Sequence, residues 1–512
     1  MKKIIVMAAL ATALLPVAAQ ETYENAKVAW GDLNGTARYV GMGGAMEALG
    51  ADISTISSNP AGIGLFRKSM ASVSLGFVNQ EDGKSFGGGH PTNMSFDQLG
   101  FVYTSPTSGG FLNFGFNYHK SRNFNYILSA ADQLHNASQN KLTYAKAKNE
   151  LLFEGNGAPD FNRPYIQCNQ LDDMYARNLL YEYDTNTWYY EEANSYNMDR
   201  RHWGYVADYD FNLSGNINNR VYLGLTIGIH DMHYKHYSEY TEYFPKNSPI
   251  QVADERKVSG AGADVKLGII FRPVEYSPFR VGLAITTPTF YDLTTSNYTS
   301  MTDAGGSVAN SESYDFKLYT PWKFGLSLGH TIGDYLALGA SYEYTNYGSM
   351  DSRYNTGESY SWWYDDYYEE SKSDEEMNRH TSDMLKGVST LKLGAEFKAA
   401  PEVAVRFGYN YVSPMYKKDG YKDGSLASDG SYYSSATDYT NWEAIHRITC
   451  GVGIQLDKLN LSAAYQYSMQ KGGFEPFMSY VDQYDAADNN VADVVKVNNK
   501  RHQVLLTATY TF

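Results

Sequence analysis

The sequence of 512 residues lacks several features that define common protein classes. It contains two cysteines, too few for a disulfide framework. Cys168 lies in a long polar stretch and Cys450 in an alternating apolar one, so we do not pair them. After residue 19 there is no run of about 18 apolar residues, so no transmembrane helix is available. Basic residues number 42 against 57 acidic ones, and the net charge of −15 argues against nucleic acid as a partner, because phosphate binding needs clustered Lys and Arg.

Motifs of catalysis and of metal binding are also missing. We find no Gly-x-Ser-x-Gly, no His-Glu-x-x-His and no metal-spaced cysteines. His230, His233 and His236 stand close in sequence, but neither a strand nor a helix brings all three side chains to one point, and nothing identifies a haem ligand. We therefore expect no enzyme, no catalytic residues, no metal and no cofactor. A Ser–His or Asp–His site assembled across strands would leave no motif and stays open.

The first nineteen residues have the pattern of a signal peptide. Lys2 and Lys3 give a charged start, residues 4–17 are apolar, and small residues at 17–19 precede Gln20. The apolar stretch is too short to span a membrane, and no stop-transfer pattern follows. Removal of residues 1–19 changes the net charge from −15 to −17, since two lysines are lost.

Strict period-two alternation is the main pattern after residue 68. Val221, Leu223, Leu225, Ile227 and Ile229 alternate with small or polar residues, so a strand here has one wholly aliphatic face. Fourteen segments share this pattern: 71–77, 99–103, 112–118, 207–213, 221–229, 261–271, 281–285, 322–328, 336–342, 391–397, 403–409, 448–454, 459–465 and 504–512. Each predicts a strand of about ten residues, the length of a tilted membrane strand.

The connections between these strands alternate between short and long. Tight turns are predicted at 105–110, 218–219, 273–278, 333–334, 399–402 and 457–458. Long segments fall at 80–95, 125–202, 231–257, 288–314, 345–387, 412–445 and 469–499. A soluble β-sandwich also alternates apolar and polar residues, but it has no reason to sort its loops in this way. Outer-membrane barrels do, with short periplasmic turns and long external loops.

Charged residues give separate support for a barrel. Lys266, Lys392, Glu396 and Arg406 lie on the face opposite the aliphatic one, where a lumen tolerates them. A cation on the lipid face would cost roughly 2–4 kcal/mol near the membrane centre. We therefore predict an all-β fold for 68–512, a transmembrane antiparallel barrel of fourteen strands in the bacterial outer membrane. Its largest loops are 125–202, 345–387 and 412–445, and its neighbours are membrane lipids and lipopolysaccharide. Phe512, an aromatic last residue on the apolar face, predicts recognition by the barrel-assembly machinery.

Residues 20–67 do not alternate and are rich in small residues. The run Gly41, Gly43 and Gly44 resembles a dinucleotide loop, but the third glycine would fall at Met46 and no strand precedes the run. Compact turns and short helices fit the composition better. A segment of this length is too long for a turn, and we predict that it folds into the lumen as a plug.

Several motifs together resemble one family. The run 37–45, the motif at 59–62 (Asn-Pro-Ala-Gly) and the strand that follows them resemble the start of the FadL/TodX family of outer-membrane transporters for long-chain fatty acids and aromatic hydrocarbons. The stretches 261–273, 287–291 and 320–322 are also similar to that family. The resemblance covers nearly the whole mature chain apart from the long loops, which are longer here and richer in tyrosine.

The resemblance implies a barrel closed by an N-terminal hatch, with passive uptake of a hydrophobic molecule such as a fatty acid. Such a ligand is caught outside, passes to a pocket above the hatch and leaves sideways through the wall. The residues carried over to the hatch are Gly43, Gly44, Asn59, Pro60, Ala61 and Gly62. The exit would lie on the third strand at Phe114, Gly115 and Phe116, with a local irregularity expected at Gly115.

Two other functions remain open at this point. A general porin for polar solutes would have an open lumen. A surface adhesin or scaffold would use the tyrosine-rich loops. The aromatic stretch 360–370 could stack on aromatic or sugar ligands, and it also fits an interfacial aromatic girdle. Ser129 and Asp132 resemble a helix start, so a short helix is expected in the loop 125–202.

Overall fold

The computed structural model describes residues 21–148, 170–182, 184, 187–361, 366–422, 436–481 and 486–512. The predicted signal peptide, Cys168 and the centre of the aromatic stretch at 362–365 lie outside the described residues. No helix among the described residues is long and apolar enough to cross a membrane.

Fourteen strands form the wall of a closed barrel. They are β1 Met70–Gln80, β2 Thr92–Thr107, β3 Gly110–Asn123, β4 Ser195–Ile217, β5 Val221–Tyr243, β6 Ile250–Phe271, β7 Arg280–Thr286 with Phe290–Asp303, β8 Gly306–Tyr319 with Lys323–Ile332, β9 Leu336–Asn346, β10 Gly387–Ala400, β11 Val403–Val412, β12 Tyr439–Leu456, β13 Leu459–Glu475 and β14 Val495–Thr511.

Neighbouring strands are antiparallel, and the sheet closes where β1 pairs with β14 from Met70–Thr511 to Gln80–Arg501. Closure leaves no open sheet edge around the ring, which is what a lipid environment demands of backbone polar groups. β7 and β8 are each interrupted once, and both halves of β7 still pair with β6. The predicted number and order of strands are confirmed.

The two faces of the wall differ as the alternation predicts. On β5, Leu223, Leu225 and Ile227 are 45, 39 and 50 % exposed, whereas Tyr222 and Thr226 are buried on the inner face. Aliphatic rows buried between two sheets would have indicated a sandwich. Outward exposure of these rows around a closed ring makes the molecule a membrane-spanning barrel.

Two of the predicted long segments are strands. β5 and β6 continue as a hairpin to Tyr243 and Ile250, and β7 and β8 meet in a tight turn at Asp303–Gly306. The outward side chains of the β5 extension are polar, such as Lys235 and Glu239, so this hairpin projects beyond the apolar belt. The sequence pattern does not predict these extensions as strands, because neither of their faces is aliphatic.

The predicted helix start at Ser129 is wrong. Tyr126–Gln133 is a strand that pairs with the outer part of β4, and the Ser129 hydroxyl donates to Asp199. The tertiary pairing outweighs the local sequence signal. A helix does occur in this loop but begins later, at Gln139.

Short elements complete the fold. The helices are α1 Thr22–Ala29, α2 Ala37–Gly41, α3 Gln139–Lys148, α4 Gln170–Tyr175 and α5 Glu375–Met384. Single 3₁₀ turns lie at Ile53–Ile56, Pro60–Leu65, Ala176–Asn178, Tyr347–Ser349 and Ala486–Asp488. Small hairpins pair Leu180–Glu182 with Thr187–Tyr189, and Asp351–Ser361 with Asp366–Ser373. We call the end of the barrel that carries the six predicted tight turns, such as 218–219, the inner end. The opposite end, which carries the long connections, is the outer end.

Candidate ligand pathway in the barrel bore

The residues that precede β1, which we call the N-terminal segment (21–67), lie inside the barrel. The Asn113 side chain of β3 donates from Nδ2 to the carbonyl oxygen of Ile63 at 2.7 Å. On β14, on the far side of β1 and β2, the backbone N–H of Ala37 donates to Oγ1 of Thr507 at 2.8 Å. Hydrogen bonds therefore hold the segment to the inner face of the wall at β3 and at β14.

Inward-facing glycines let the N-terminal segment approach the wall closely. A methyl group at Gly224 would overlap the backbone of Pro60 and Ala61, and one at Gly408 would overlap the backbone of Gly43. One at Gly268 would overlap the Asn59 side chain and the N atom of Ala61. At Gly224 and Gly408, backbone therefore packs directly on backbone. These glycines belong to the small-residue face of the predicted strands.

Ion pairs join the same segment to β10, and Arg406 of β11 shares one of their carboxylates. Arg38 donates from Nε and Nη2 to both carboxylate oxygens of Glu396 at 2.9 and 2.8 Å, and Arg406 donates to Glu396 Oε2 at 2.6 Å. Nζ of Lys392 lies 2.8 Å from Oε1 of Glu47. Charged residues that were predicted to lie on the inner face of the wall therefore form ion pairs with charged residues of the N-terminal segment.

The residues carried over to the hatch lie in two turns of this segment. Gly43 and Gly44 have φ of +62° and +80°, a left-handed conformation that favours glycine. Asn59 begins the 3₁₀ turn of Pro60–Leu65, and its Oδ1 accepts the N–H of Ala61 at 3.2 Å. Gly62 packs on Thr55, within the segment itself.

The outer part of the segment, helix α1, reaches the extracellular loops. Oγ1 of Thr22 lies 3.0 Å from Nδ1 of His380 on α5, and the ring of Tyr23 stacks on Tyr416 with centroids 5.2 Å apart. Burial alone would raise the pKa of Glu24. The charges of Lys27 and Arg256 outweigh it and hold that pKa well below its usual value.

An outer cavity of about 130 Å³ lies beside α1. Aromatic side chains supply much of its lining: Tyr23, Trp30, Phe124, Tyr126, Tyr234, Tyr416, Tyr439 and Trp442. Such rings present apolar area with few polar atoms. Charged and polar side chains such as Lys27, Arg200 and Asp438 supply the rest of the lining, so the cavity offers both apolar area and charge.

Three guanidinium groups lie at the base of this cavity, and two of them share one carboxylate. Nη1 of Arg122 lies 3.0 Å from Oδ1 of Asp32, and Nη2 of Arg447 lies 3.8 Å from the same oxygen. Arg501 instead donates to the backbone carbonyls of Asn123 and Asn125. These four side chains carry a net charge of +2 in a protein whose overall charge is −15. Their chemistry suits a carboxylate ligand.

An inner cavity of about 210 Å³ lies on the other side of residues 28–34. Trp30, Asp32 and Arg447 line both cavities, so they form the partition between them. The inner cavity also touches Ser57 and Ser58, close to the Asn59 turn, and it reaches His119 on β3.

The wall next to the inner cavity is incomplete between β2 and β3. Their ladder runs from Thr107–Gly110 to Gln98–His119 and ends there, although β2 pairs with β1 as far as Thr92. Beyond His119, β3 pairs only with β4, as far as Asn123. Further along the chain, the backbone of Ile127 bonds the Gln80 side chain of β1 at 2.7 and 2.8 Å. We call the space between Thr92–Asp97 and residues 120–123 the wall gap.

The irregularity expected at Gly115 is absent. Gly115 pairs with Val102 and Asn212 in continuous ladders, and the register shift of β3 falls between Lys120 and Arg122. Phe114 is exposed on the outer face, whereas Gly115 faces Ile56 and Ile63. Gly115 does not disturb the strand, because its pairing with both neighbouring strands holds the register.

Sequence reasoning missed the residues around the two cavities. Arg122, Arg447 and Arg501 come from three different strands, and Asp32 comes from a turn with no periodic pattern. Each looks ordinary in its own segment. The available signal is a basic residue on the inner face of a strand. This pattern predicts that Lys392 and Arg406 face the lumen, and it applies equally to Arg447 and Arg501.

Comparisons with known proteins bear on the fold. No family model and no curated protein matches the sequence. A Pseudomonas aeruginosa FadL homologue matches in structure with a TM-score of 0.53 and 13% identity, covering 94% of this chain and 100% of its own. The Ralstonia pickettii toluene transporter TbuX gives 0.49 and 13%, with 94% and 99% covered. The Pseudomonas putida toluene transporter TodX gives 0.46 and 10%, again with 94% and 99% covered.

The fold expected from the family resemblance is thereby confirmed. The match to the FadL homologue spans almost all of both chains, and the closed ring with its outward aliphatic rows was established independently. This chain has the fold of that FadL homologue and is a transmembrane β-barrel of the outer-membrane type.

Proposed function

We propose that this protein is a passive uptake channel for hydrophobic molecules, and for long-chain carboxylates among them. The observation that carries the proposal is the outer cavity, where aromatic rings lie beside three guanidinium groups, two of which share the carboxylate of Asp32. Rings suit an acyl chain, and the surplus positive charge suits its carboxylate. TbuX and TodX, which are named toluene transporters, support the hydrophobic class of ligand.

The cavities suggest a route. A carboxylate that reaches Arg122 and Arg447 competes with Asp32 for them, which releases Asp32 and the partition around Trp30. The acyl chain then has access to the inner cavity and to the wall gap. In this proposal the N-terminal segment acts as the hatch, and the ligand leaves sideways into the membrane at the outer end of β3, beyond Phe114, Gly115 and Phe116.

The occupied bore favours this function over a general porin. Residues 37–65 are joined to the wall by backbone contacts at Gly224 and Gly408 and by the Glu396 and Lys392 ion pairs. A polar solute would need that segment to leave. A hydrophobic ligand needs only the partition at Trp30 to move, because the wall gap lies beside the inner cavity.

Uptake of radiolabelled oleate and hexadecane by cells that lack the gene tests the proposal. The cells carry the wild type, the double variant Arg447→Gln, Arg501→Gln, or the control Arg353→Gln. Arg353 lies on the outer hairpin and lines neither cavity. We expect the double variant to lose about tenfold in oleate uptake, equivalent to roughly 1.4 kcal/mol. Hexadecane uptake should stay within twofold of the wild type, because hexadecane has no carboxylate.

Two results would count against the proposal at different levels. Equal loss of oleate and hexadecane uptake would mean that the arginines support the structure and do not select a carboxylate. Equal uptake of both compounds with and without the gene would exclude hydrophobic transport altogether.

A further inference from the structure

A buried cluster of ionisable side chains faces the inner cavity and has no part in the proposed transport route. We call it the Asp–His cluster: His119 of β3, Asp208 and Asp210 of β4, His230 of β5, and Asp264 and Lys266 of β6. Each of these residues is at most 7% exposed. Adjacent positions on four neighbouring strands bring them together.

The charges of this cluster do not balance. Nζ of Lys266 lies 2.6 Å from Oδ1 of Asp210 and 3.1 Å from Oδ1 of Asp264, so one ammonium serves two carboxylates. Asp208 adds a third. Nδ1 of His230 lies 2.8 Å from Asp208 and its Nε2 lies 3.1 Å from Asp264, so this ring is placed to be an imidazolium between two carboxylates. With His119 neutral, three carboxylates, one ammonium and one imidazolium leave a net charge of −1 in a buried site. Uncompensated buried charge is costly, so a neutralising partner is expected.

Among the described residues, Nδ1 of His119 and Oδ2 of Asp210 are two of the buried atoms of the cluster that lack a hydrogen-bond partner, and they lie 3.7 Å apart. On the other edge of the same ring, Nε2 of His119 lies 3.7 Å from Oδ2 of Asp208. Both separations are too long for a hydrogen bond. The ring can offer one nitrogen to an ion, and the separation of Nδ1 from Asp210 is close to the roughly 3.4 Å between two ligands of a tetrahedral ion with bonds of roughly 2.1 Å.

The surroundings of Asp208 hold it in place for such a role. Nδ1 of His230 lies 2.8 Å from Oδ1 of Asp208, and the Ser121 hydroxyl donates to the same oxygen at 2.7 Å. Oδ2 is left to face His119. A carboxylate oriented by an imidazole and a hydroxyl is a common support for a metal ligand.

We propose that His119, Asp208 and Asp210 bind a divalent transition-metal ion of the Zn²⁺ type. One ligand atom from each of these residues lies within 4.8 Å of the others, and the inner cavity of about 210 Å³ supplies space for water at the remaining positions. Two carboxylates and one imidazole suit such an ion better than Ca²⁺, which prefers oxygen ligands alone. A bound cation would also offset the negative charge of the cluster.

The alternative is that protons on the two imidazoles neutralise the cluster and no metal binds. Lys266 separates the two cases. Its ammonium already occupies Oδ1 of Asp210, so it competes with a metal ion by charge. Replacement of Lys266 by an isosteric apolar side chain should strengthen metal binding if the site exists.

Isothermal titration of the full-length protein in detergent with Zn²⁺ tests the proposal, and titration with Ca²⁺ provides the hard-cation comparison. The variants are Asp210→Asn, His119→Gln and Lys266→Met. The control is His236→Gln, which removes another buried imidazole that lies 2.6 Å from a carboxylate oxygen of Asp254. Heat-dependent migration on gels shows that each variant is a folded barrel.

We expect one Zn²⁺ per wild-type chain, the same affinity for His236→Gln, at least tenfold weaker binding for Asp210→Asn and His119→Gln, and at least tenfold tighter binding for Lys266→Met. Zinc X-ray absorption should show one imidazole in the wild type. Absence of Zn²⁺ binding, or equal binding by the wild type and Asp210→Asn, would overturn the site. If Asp210→Asn does not fold, Lys266→Met decides, because misfolding does not produce a gain in affinity and an unchanged affinity would contradict the proposal.

Discussion

The inner and outer halves of the bore hold the N-terminal segment in different ways. In the inner half, residues 37–65 pack backbone to backbone on wall glycines and form ion pairs with Lys392 and Glu396 of β10. In the outer half, α1 and residues 30–34 border two cavities and contact the wall through aromatic rings and shared charges. Both halves belong to one chain segment inside one barrel.

This difference indicates that the inner half fixes the N-terminal segment in the bore, whereas the outer half can bind a ligand. Close backbone packing leaves no room for a ligand and resists displacement. A cavity with surplus positive charge, in contrast, is already prepared for a partner that the chain itself does not supply. We therefore expect changes in the inner half to open the barrel, and changes in the outer half to alter ligand handling while the barrel stays closed.

The largest expected effect comes from Glu47→Gln. The change leaves the buried ammonium of Lys392 with Glu343, whose Oε2 lies 3.6 Å away, as its remaining ion-pair partner among the described residues. Loss of one member of a buried pair costs roughly 3–5 kcal/mol. The variant should show brief large openings in planar bilayers, where the wild type stays closed. Glu376→Gln removes an exposed pair with Arg379 and should conduct like the wild type. Silent bilayers with Glu47→Gln would mean that the inner half does not depend on this pair.

A smaller effect is expected from Gly224→Ala. Its methyl group would overlap the backbone of Pro60, and overpacking of this kind costs roughly 1–3 kcal/mol. The matched control is Gly115→Ala on the same inner face, where the methyl group would lie 3.4 Å from Ile56 Cδ1, an ordinary contact. Thermal unfolding followed by circular dichroism should show a lower midpoint for Gly224→Ala alone. Equal midpoints would show that the contact between Pro60 and the wall yields easily.

The smallest effect is expected in the outer half, from Tyr23→Phe. The change removes the hydrogen bond of 2.8 Å from the Tyr23 hydroxyl to Oδ1 of Asn441, worth roughly 1 kcal/mol. Amides of α1 should exchange with deuterium about fivefold faster, since roughly 1 kcal/mol is a factor of about five. Exchange in Pro60–Leu65 should not change. Tyr276→Phe, at a side chain 93% exposed, is the control. Faster exchange in both regions would mean that the two halves move as one.

The sequence predicted the wall better than the bore. Alternation in segments such as 221–229 identifies membrane strands because lipid selects one face and leaves the other free. The sequence pattern does not predict the outer extensions of β5 and β6, because both their faces are polar or buried by other elements. The sequence also does not predict the partition at Trp30 and Asp32, because it depends on contacts with Arg122 and Arg447, which are far away in sequence. Period and spacing carry no information about such convergence.

The most direct test of the proposed route is to close the wall gap. The rings of Phe96 and Tyr118 stack with centroids 5.6 Å apart next to the end of the β2–β3 ladder, and those of Phe101 and Phe116 lie 5.9 Å apart within it. Each pair is replaced by cysteines in a chain with Cys168→Ser and Cys450→Ser, and is bridged by a short thiol-specific crosslinker. Oleate uptake should stop when positions 96 and 118 are bridged, return on reduction, and continue when positions 101 and 116 are bridged. Uninterrupted uptake with 96 and 118 bridged, or a block by the 101–116 bridge instead, would contradict exit through the wall gap.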